Sequence, residues 1–201
     1  MQTAKPQSQP IHPHTLTFAP GAIISADAVL KGNIVVGEGK RSLGPGFKAN
    51  VAEFPSCSIG CVLHPFCQIL AHRGTITIGP NCDVQEDAII ECYQDEGLTI
   101  GEENVFEVGA WIKARDIGAA NVFQTKCHVG GDVKMPHHCF IGPGTTLDSG
   151  YIAPYTSVYG KDSMHRVGTG EGQVQEKAHR LKHLEYLREV IPKSSRIRKP
   201  V

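Results

Sequence analysis

With 201 residues the chain is long enough for one domain with a sizeable core. Its 20 Lys and Arg balance its 20 Asp and Glu, so no global field draws it to nucleic acid or to a membrane surface. No stretch approaches the roughly 18 apolar residues of a membrane span, and the N-terminus lacks an apolar h-region after a charged start, so no signal peptide is expected.

Residues 1–15, rich in Pro and Gln, are expected to be a disordered tail. From about Leu16 to Gly160 a different pattern rules. Large apolar residues recur every six positions at Phe18, Ile24, Leu30 and Val36, at Leu63 and Ile69, at Ile78, Val84 and Ile90, and at Ile100, Phe106 and Ile112. A further run is Ile117, Phe123, Val129, Met135, Ile141, Leu147 and Ala153. Positions six apart fall about 240° apart around an α-helix, so no helix uses this period. A flat strand needs period two. A six-residue period fits a short strand plus a tight corner, stacked into a parallel β-helix. Three hexads make a coil of about 18 residues, and about nineteen hexads give roughly six coils and a rod of about 30 Å at the inter-strand spacing of about 4.8 Å. The aliphatic residue points inward, and the fifth member of the hexad, as at Cys67, Cys82, Cys127, Val133, Cys139, Thr145 and Ser157, fills the narrow interior. The cysteines, seven in all, are therefore expected to be reduced core residues, as in a reducing cytosol. Glycines after the aliphatic residue, together with Asn81, Asn104, Asn121, Asp132 and Gly144, are expected at corners with positive φ.

The frame is interrupted at Lys40–Ser58, whose Phe47 and Phe54 suggest a contact loop, and more briefly at Ala71–Thr77 and Cys92–Leu98. Residues 161–192 read as a polar connector followed, from about Gln173 to Val190, by a helix lying back along one flat face. Its apolar stripe is Val174, Ala178, Leu181, Leu184, Leu187 or Tyr186, and Val190, and Pro192 is expected to end it. Residues 193–201 form a basic tail expected to be solvated; residues 161–201 hold half of the chain's 20 Lys and Arg.

The hexapeptide pattern resembles the left-handed β-helix families, which include acyltransferases, γ-class carbonic anhydrases and non-catalytic scaffold subunits. The fold class is thus an all-β solenoid, a single-stranded parallel β-helix with a C-terminal α-helix, and the left hand is what the resemblance implies. The γ-class enzymes hold zinc with three histidines on neighbouring coils. The run Gln85-Glu86-Asp87-Ala88-Ile89-Ile90-Glu91 puts Glu91 where the first should stand, and Phe106-Glu107-Val108-Gly109-Ala110-Trp111-Ile112-Lys113 puts Val108 and Lys113 at the other two. A valine cannot coordinate metal, and a lysine would have to lose its proton. His137-His138-Cys139 looks metal-like, but adjacent side chains in an extended run face opposite ways. An acyltransferase would use one histidine as general base, and only His64 or His128 offers itself.

The string Ile100-Gly101-Glu102-Glu103-Asn104-Val105-Phe106-Glu107-Val108-Gly109 resembles the matching segment of the dynactin subunit 6 family. So do Ile117-Gly118-Ala119-Ala120-Asn121-Val122, Lys126-Cys127-His128-Val129-Gly130, the exit Thr156-Ser157-Val158-Tyr159-Gly160-Lys161-Asp162, and the late helix ending in Ile191-Pro192. The resemblance covers roughly Phe18 to Pro192; the N-terminal tail is longer and the Lys40–Ser58 insert is extra. It implies a non-catalytic dynactin subunit in the cytoplasm and on the cytoskeleton. Its expected partners are a second β-helical subunit, dynactin subunit 5, the actin-related pointed-end protein and the largest pointed-end-associated subunit. It implies no catalytic, metal or cofactor-binding residue and no cofactor. Both rims of the solenoid, near Phe18–Val36 and Leu147–Tyr159, are expected contact surfaces, because a rim exposes unpaired backbone groups. The competing readings are homotrimeric enzymes of the γ-class or acyltransferase kind.

Overall fold

The structure, a computed structural model, describes residues 15–19, 21–37 and 60–198. The Lys40–Ser58 insertion and nearly all of the N-terminal tail lie outside these residues. The chain is a parallel β-solenoid of about six coils with one C-terminal helix.

A lone strand, β1 (Leu16–Phe18), precedes the first coil, which holds β2 (Ile23–Ile24) and β3 (Val29–Val36). The second coil holds β4 (Val62–Leu63) and β5 (Gln68–Ile78). The third has β6 (Asp83–Val84), β7 (Ile89–Cys92) and β8 (Leu98–Ile100), and the fourth β9 (Val105–Phe106), β10 (Trp111–Ile112) and β11 (Asp116–Ile117). The fifth has β12 (Val122–Phe123), β13 (His128–Val129) and β14 (Lys134–Met135), and the sixth β15 (Phe140–Ile141), β16 (Thr146–Leu147) and a bridge from Tyr151 to Lys134. Then come β17 (Thr156–Tyr159), β18 (Met164–Val167) and α1 (Gln173–Ser194).

Register defines three faces. β2, β4, β6, β9, β12, β15 and β17 stack as the first. The leading halves of β3 and β5 stack with β7, β10, β13 and β16 as the second, and their trailing halves with β1, β8, β11 and β14 as the third. Because β5 runs unbroken round a corner, Ala71–Thr77 is not a loop but the bend that joins the second and third faces into one sheet.

The sixfold pattern becomes three inward ladders. On the first face Ile24, Leu63, Val84, Phe106, Phe123, Ile141 and Val158 stack in the core, with the Phe106 and Phe123 rings 4.9 Å apart and nearly parallel. The last step of the frame differs from the sequence reading. Ile152 and Thr156 are buried, whereas Ala153 and Ser157 are only half-buried, because the corner after Leu147 is one residue shorter. All six described cysteines are buried and free, and burial, helped by nearby carboxylates, pushes the thiols of Cys67 and Cys127 up to about 12.

Asn104 and Asn121 are not the positive-φ corner residues; their neighbours Glu103 and Ala120 are, at φ 60° and 58°. The two asparagines sit at the fifth position, fully buried, and knit coils together. Asn104 Oδ1 accepts from the Asn121 N–H at 2.9 Å and its Nδ2 donates to Gly118 O at 2.8 Å, while Asn121 Oδ1 accepts from the Cys139 N–H at 2.8 Å. An asparagine pays for its burial by replacing corner hydrogen bonds that a small apolar residue cannot make. Gly37 after Val36 has the expected positive φ, at 79°, but the other glycines after the aliphatic residue are explained differently. A Cβ on Gly101 would lie 2.7 Å from the Gly118 backbone, so close approach between coils, not positive φ, requires glycine there.

Helix α1 lies along the first face and packs Leu184, Leu187 and Ile191 on Ile23 and Val62. The seam is shorter than the sequence stripe: Val174 is 81% exposed, and Leu187 rather than Tyr186 faces inward. Pro192 stands inside the last turn rather than ending the helix. The N-terminal half is held by polar contacts, Lys177 Nζ to Glu103 at 2.6 Å and Arg180 to the Ala120 carbonyl at 3.5 Å. A cavity of about 360 Å³ remains between that half and Val105, Val122 and Phe140.

The described part of the basic tail keeps Lys193 and Arg196 exposed, as a solvated tail would, but its backbone is docked on the first coil. Ile197 bridges Ser25 in antiparallel sense, the Ala26 N–H donates to Arg196 O at 2.7 Å, and the Arg198 N–H donates to Ile24 O at 2.7 Å. At the other end β18 pairs antiparallel with β17, and Ser163 Oγ donates to the Thr146 carbonyl. Both ends of the first face are thus closed by antiparallel segments, the arrangement that blunts a sheet edge.

Candidate functional site

The second face carries the most organised cluster of side chains. Outward residues alternate with the inward ladder, so register alone lines up Gln68, Ile89, Trp111 and His128, with Leu70 beside Glu91. Glu91 is the hub. Its Oε2 accepts from the Trp111 indole N–H at 2.7 Å and faces Lys113 Nζ at 3.7 Å. Its Oε1 accepts from the Tyr93 hydroxyl at 3.0 Å and lies 3.3 Å from His72 Nε2. Burial works against the Glu91 charge, but the Trp111, Tyr93 and His72 hydrogen bonds and the Lys113 ammonium outweigh it, and its pKa falls below the ordinary value.

The rings are held in turn. His72 stacks on Tyr93 at 4.4 Å, Lys113 Nζ lies 4.0 Å over the Trp111 ring, and the His128 ring is 4.9 Å from Trp111. Trp111 is nonetheless 41% exposed. The polar atoms are spent inward, and part of the Trp111 and Tyr93 rings stays open to solvent.

Two of the three positions aligned with zinc ligands, Glu91 and Lys113, therefore meet, but as an ion pair, while Val108 stands apart at the corner after β9. The trio His137-His138-Cys139 does not converge. His138 sits at a corner with φ 58° and stacks on Tyr155, whereas the Cys139 thiol points inward to the Ala153 carbonyl. Among the described residues no group of three or more His, Cys, Asp or Glu is placed to hold a metal ion.

His64 is closed off, at 5% exposure. Its Nδ1 is 3.0 Å from Glu86, and its Nε2 is 3.1 Å from Asp83 without hydrogen-bond alignment, so that contact is ionic. Burial works against the imidazolium, but Asp83 and Glu86 outweigh it and raise its pKa. A general base must reach the proton it removes, and this imidazole is committed to two carboxylates. His128 is tied to Asp148 at 3.4 Å and to the Trp111 ring. The Glu91 cluster itself went unrecognised in the sequence. Its one signal is the outward alternation Trp111-Ile112-Lys113, one coil away from its carboxylate partner.

Fold and surface together define a hexapeptide-repeat β-solenoid whose ordered side chains form a packed aromatic and ionic patch rather than an open cleft. No family model matches the sequence. Among curated proteins, dynactin subunit 6 of Dictyostelium discoideum is 30% identical over 75% of this chain and 82% of its own length. Dynactin subunit 6 of Xenopus tropicalis is 27% identical over 99% of this chain and 91% of its own. Among solved structures, a hexapeptide transferase family protein from Anaplasma phagocytophilum aligns over 90% of this chain and 93% of its own with a TM-score of 0.41 and 12% identity, too distant to carry an argument. The chain belongs to the dynactin subunit 6 family.

Proposed function

We propose that this chain is a non-catalytic structural subunit of dynactin, the activator of cytoplasmic dynein. It pairs with a second β-helical subunit, dynactin subunit 5, at the pointed end of the actin-related filament. The actin-related pointed-end protein and the largest pointed-end-associated subunit complete that end, and the assembly supports attachment of dynein cargo and adaptors in the cytoplasm. The observation that carries this reading is relatedness to dynactin subunit 6 proteins along almost the whole chain. It is supported by Glu91, Val108 and Lys113 standing where the γ-class enzymes need histidines, and by the ion pairing that consumes His64.

The test is the native mass of the endogenous protein in a gentle cytosolic extract, with co-migrating proteins identified. A megadalton particle containing actin-related proteins and a second hexapeptide subunit is the expected result. Migration alone at three times the 21.7 kDa chain mass would point instead to a homotrimer with a site between subunits, and the proposal would fall.

A further inference from the structure

We propose that the second face is the surface on which the partner β-solenoid docks, side by side, through a flat and uncharged β-face of its own. This rests on the pairing argued above and adds where it occurs.

End-to-end stacking, the sequence expectation, meets two obstacles. At the first rim the Ile197 bridge and the Arg198 backbone occupy the free edge of β2, and the Arg198 guanidinium takes the Ala28 carbonyl at 2.9 Å. At the last rim β18 covers β17 and Ser163 covers the carbonyl of edge strand β16. A partner rung would have to displace segments of this chain before it could pair.

The flanks are unequal. The first face lies under α1. The third is polar along its outward ladder, with Thr77 beside Thr99 and Asp116 beside Lys134. The second interleaves polar residues with the exposed large hydrophobics Val29 and Trp111 on the face, Phe66 and Val108 on one corner and Tyr93 on the other. Among the described residues nothing covers them, and the chain leaves at Gly37 and returns at Gly60, between the third and first faces.

Charge selects the occupant. On the central rungs Glu91 is matched by Lys113, while the exposed Lys31 on the first rung and Asp148 on the last carry opposite charges, so neither sign dominates the face to attract an acidic or basic partner. Rings locked by hydrogen bonds to a sunken carboxylate lose little rotamer entropy on docking, which is the property of interface anchors. A flat apolar β-face matches them in shape and charge.

The experiment co-expresses the full chain with the second β-helical subunit and measures the dissociation constant at low and high salt. The variants are Trp111→Lys and Phe66→Lys, with Tyr186→Lys on α1 and Val167→Lys on β18 as comparisons. Phe66 makes no described polar contact, so its variant folds even where Trp111→Lys does not. Expected are at least tenfold weaker binding for Phe66→Lys at an unchanged melting temperature, wild-type binding for Tyr186→Lys and Val167→Lys, and little salt dependence. The inference is overturned if folded face variants bind like wild type, if Val167→Lys alone loses binding and so places the contact at the terminal hairpin, or if affinity falls steeply with salt. A wild-type chain that does not bind the second subunit overturns the proposed function, and this inference with it.

Discussion

The indole N–H of Trp111 donates to Glu91 at 2.7 Å across two adjacent coils, and Glu91 in turn holds Lys113 over the same indole ring. A charge, a hydrogen bond and a ring contact thus fix one side chain on the surface of the solenoid.

Replacing Glu91 with Ala should strip the partner from the Trp111 N–H and leave Lys113 without its counterion. A lost buried acceptor costs about 1–3 kcal/mol. The expected outcome is a lower melting temperature together with a shifted and broadened emission from Trp111, the one tryptophan in the chain. Unchanged emission would mean that Glu91 does not orient the ring.

Val129→Asp should unfold the solenoid. Val129 is fully buried in the second-face ladder beside Ile112 and Leu147, and an unpaired charge there has no partner. The expected loss exceeds about 4 kcal/mol, the extreme of single substitutions, and circular dichroism should show loss of β signal. Melting like wild type would place Val129 outside the core.

Asn121→Leu keeps the branched shape, at a larger volume, but removes the acceptor of the Cys139 N–H and the bond to Gly118 O. The stability loss should be about 1–3 kcal/mol per orphaned buried group. It should appear as a lower urea midpoint at unchanged slope.

His64 gives a pH dependence with a defined sign. Its folded pKa is raised above 6.5, so its contribution is fully present below about pH 6.5 and is lost as pH rises through the folded value. Glu86 is lowered, burial opposing and His64 outweighing it, so its contribution is present above its ordinary 4.5 and is lost as pH falls through the folded value. Melting temperature should therefore decline from pH 6 towards pH 8, and His64→Gln should flatten that decline. An equal slope in both proteins would refute the ion triad.

Deleting the residues after Ser195 should uncover the free edge of β2. Unpaired edges recruit other strands, so sedimentation should show concentration-dependent self-association that the full chain lacks. A truncated chain that stays monomeric and equally stable would remove any capping role from the Ile197 bridge.

The hexad frame was legible because burial on a narrow prism demands an apolar residue at a constant interval, and Ile117, Phe123, Val129, Met135 and Ile141 announce that interval without any tertiary information. The family was legible from the Asn-Val-Phe-Glu-Val-Gly string at 104–109. The reasons behind single positions were less so. Asn104 and Asn121 looked like turn residues because asparagine favours turns, yet neighbouring coils convert them into a buried ladder. Helix α1 runs past Pro192 because a proline in the last turn removes one helical bond, that from position 192 to the carbonyl of residue 188, while the turn after it still closes through the Ser195 N–H to Ile191 O.

The sequence by itself determined the period, the inward ladders, the number of coils and the presence of a C-terminal helix, since all of these follow from local alternation and burial. Tertiary structure decided which outward side chains meet. Glu91 and Trp111 are 20 positions apart and Arg198 and Ala28 are 170 apart. Outward neighbours depend on the summed lengths of the corners between them, and on where a distant segment docks. A six-residue pattern constrains the inside of the prism and leaves its outer surface to the register of the assembled coils.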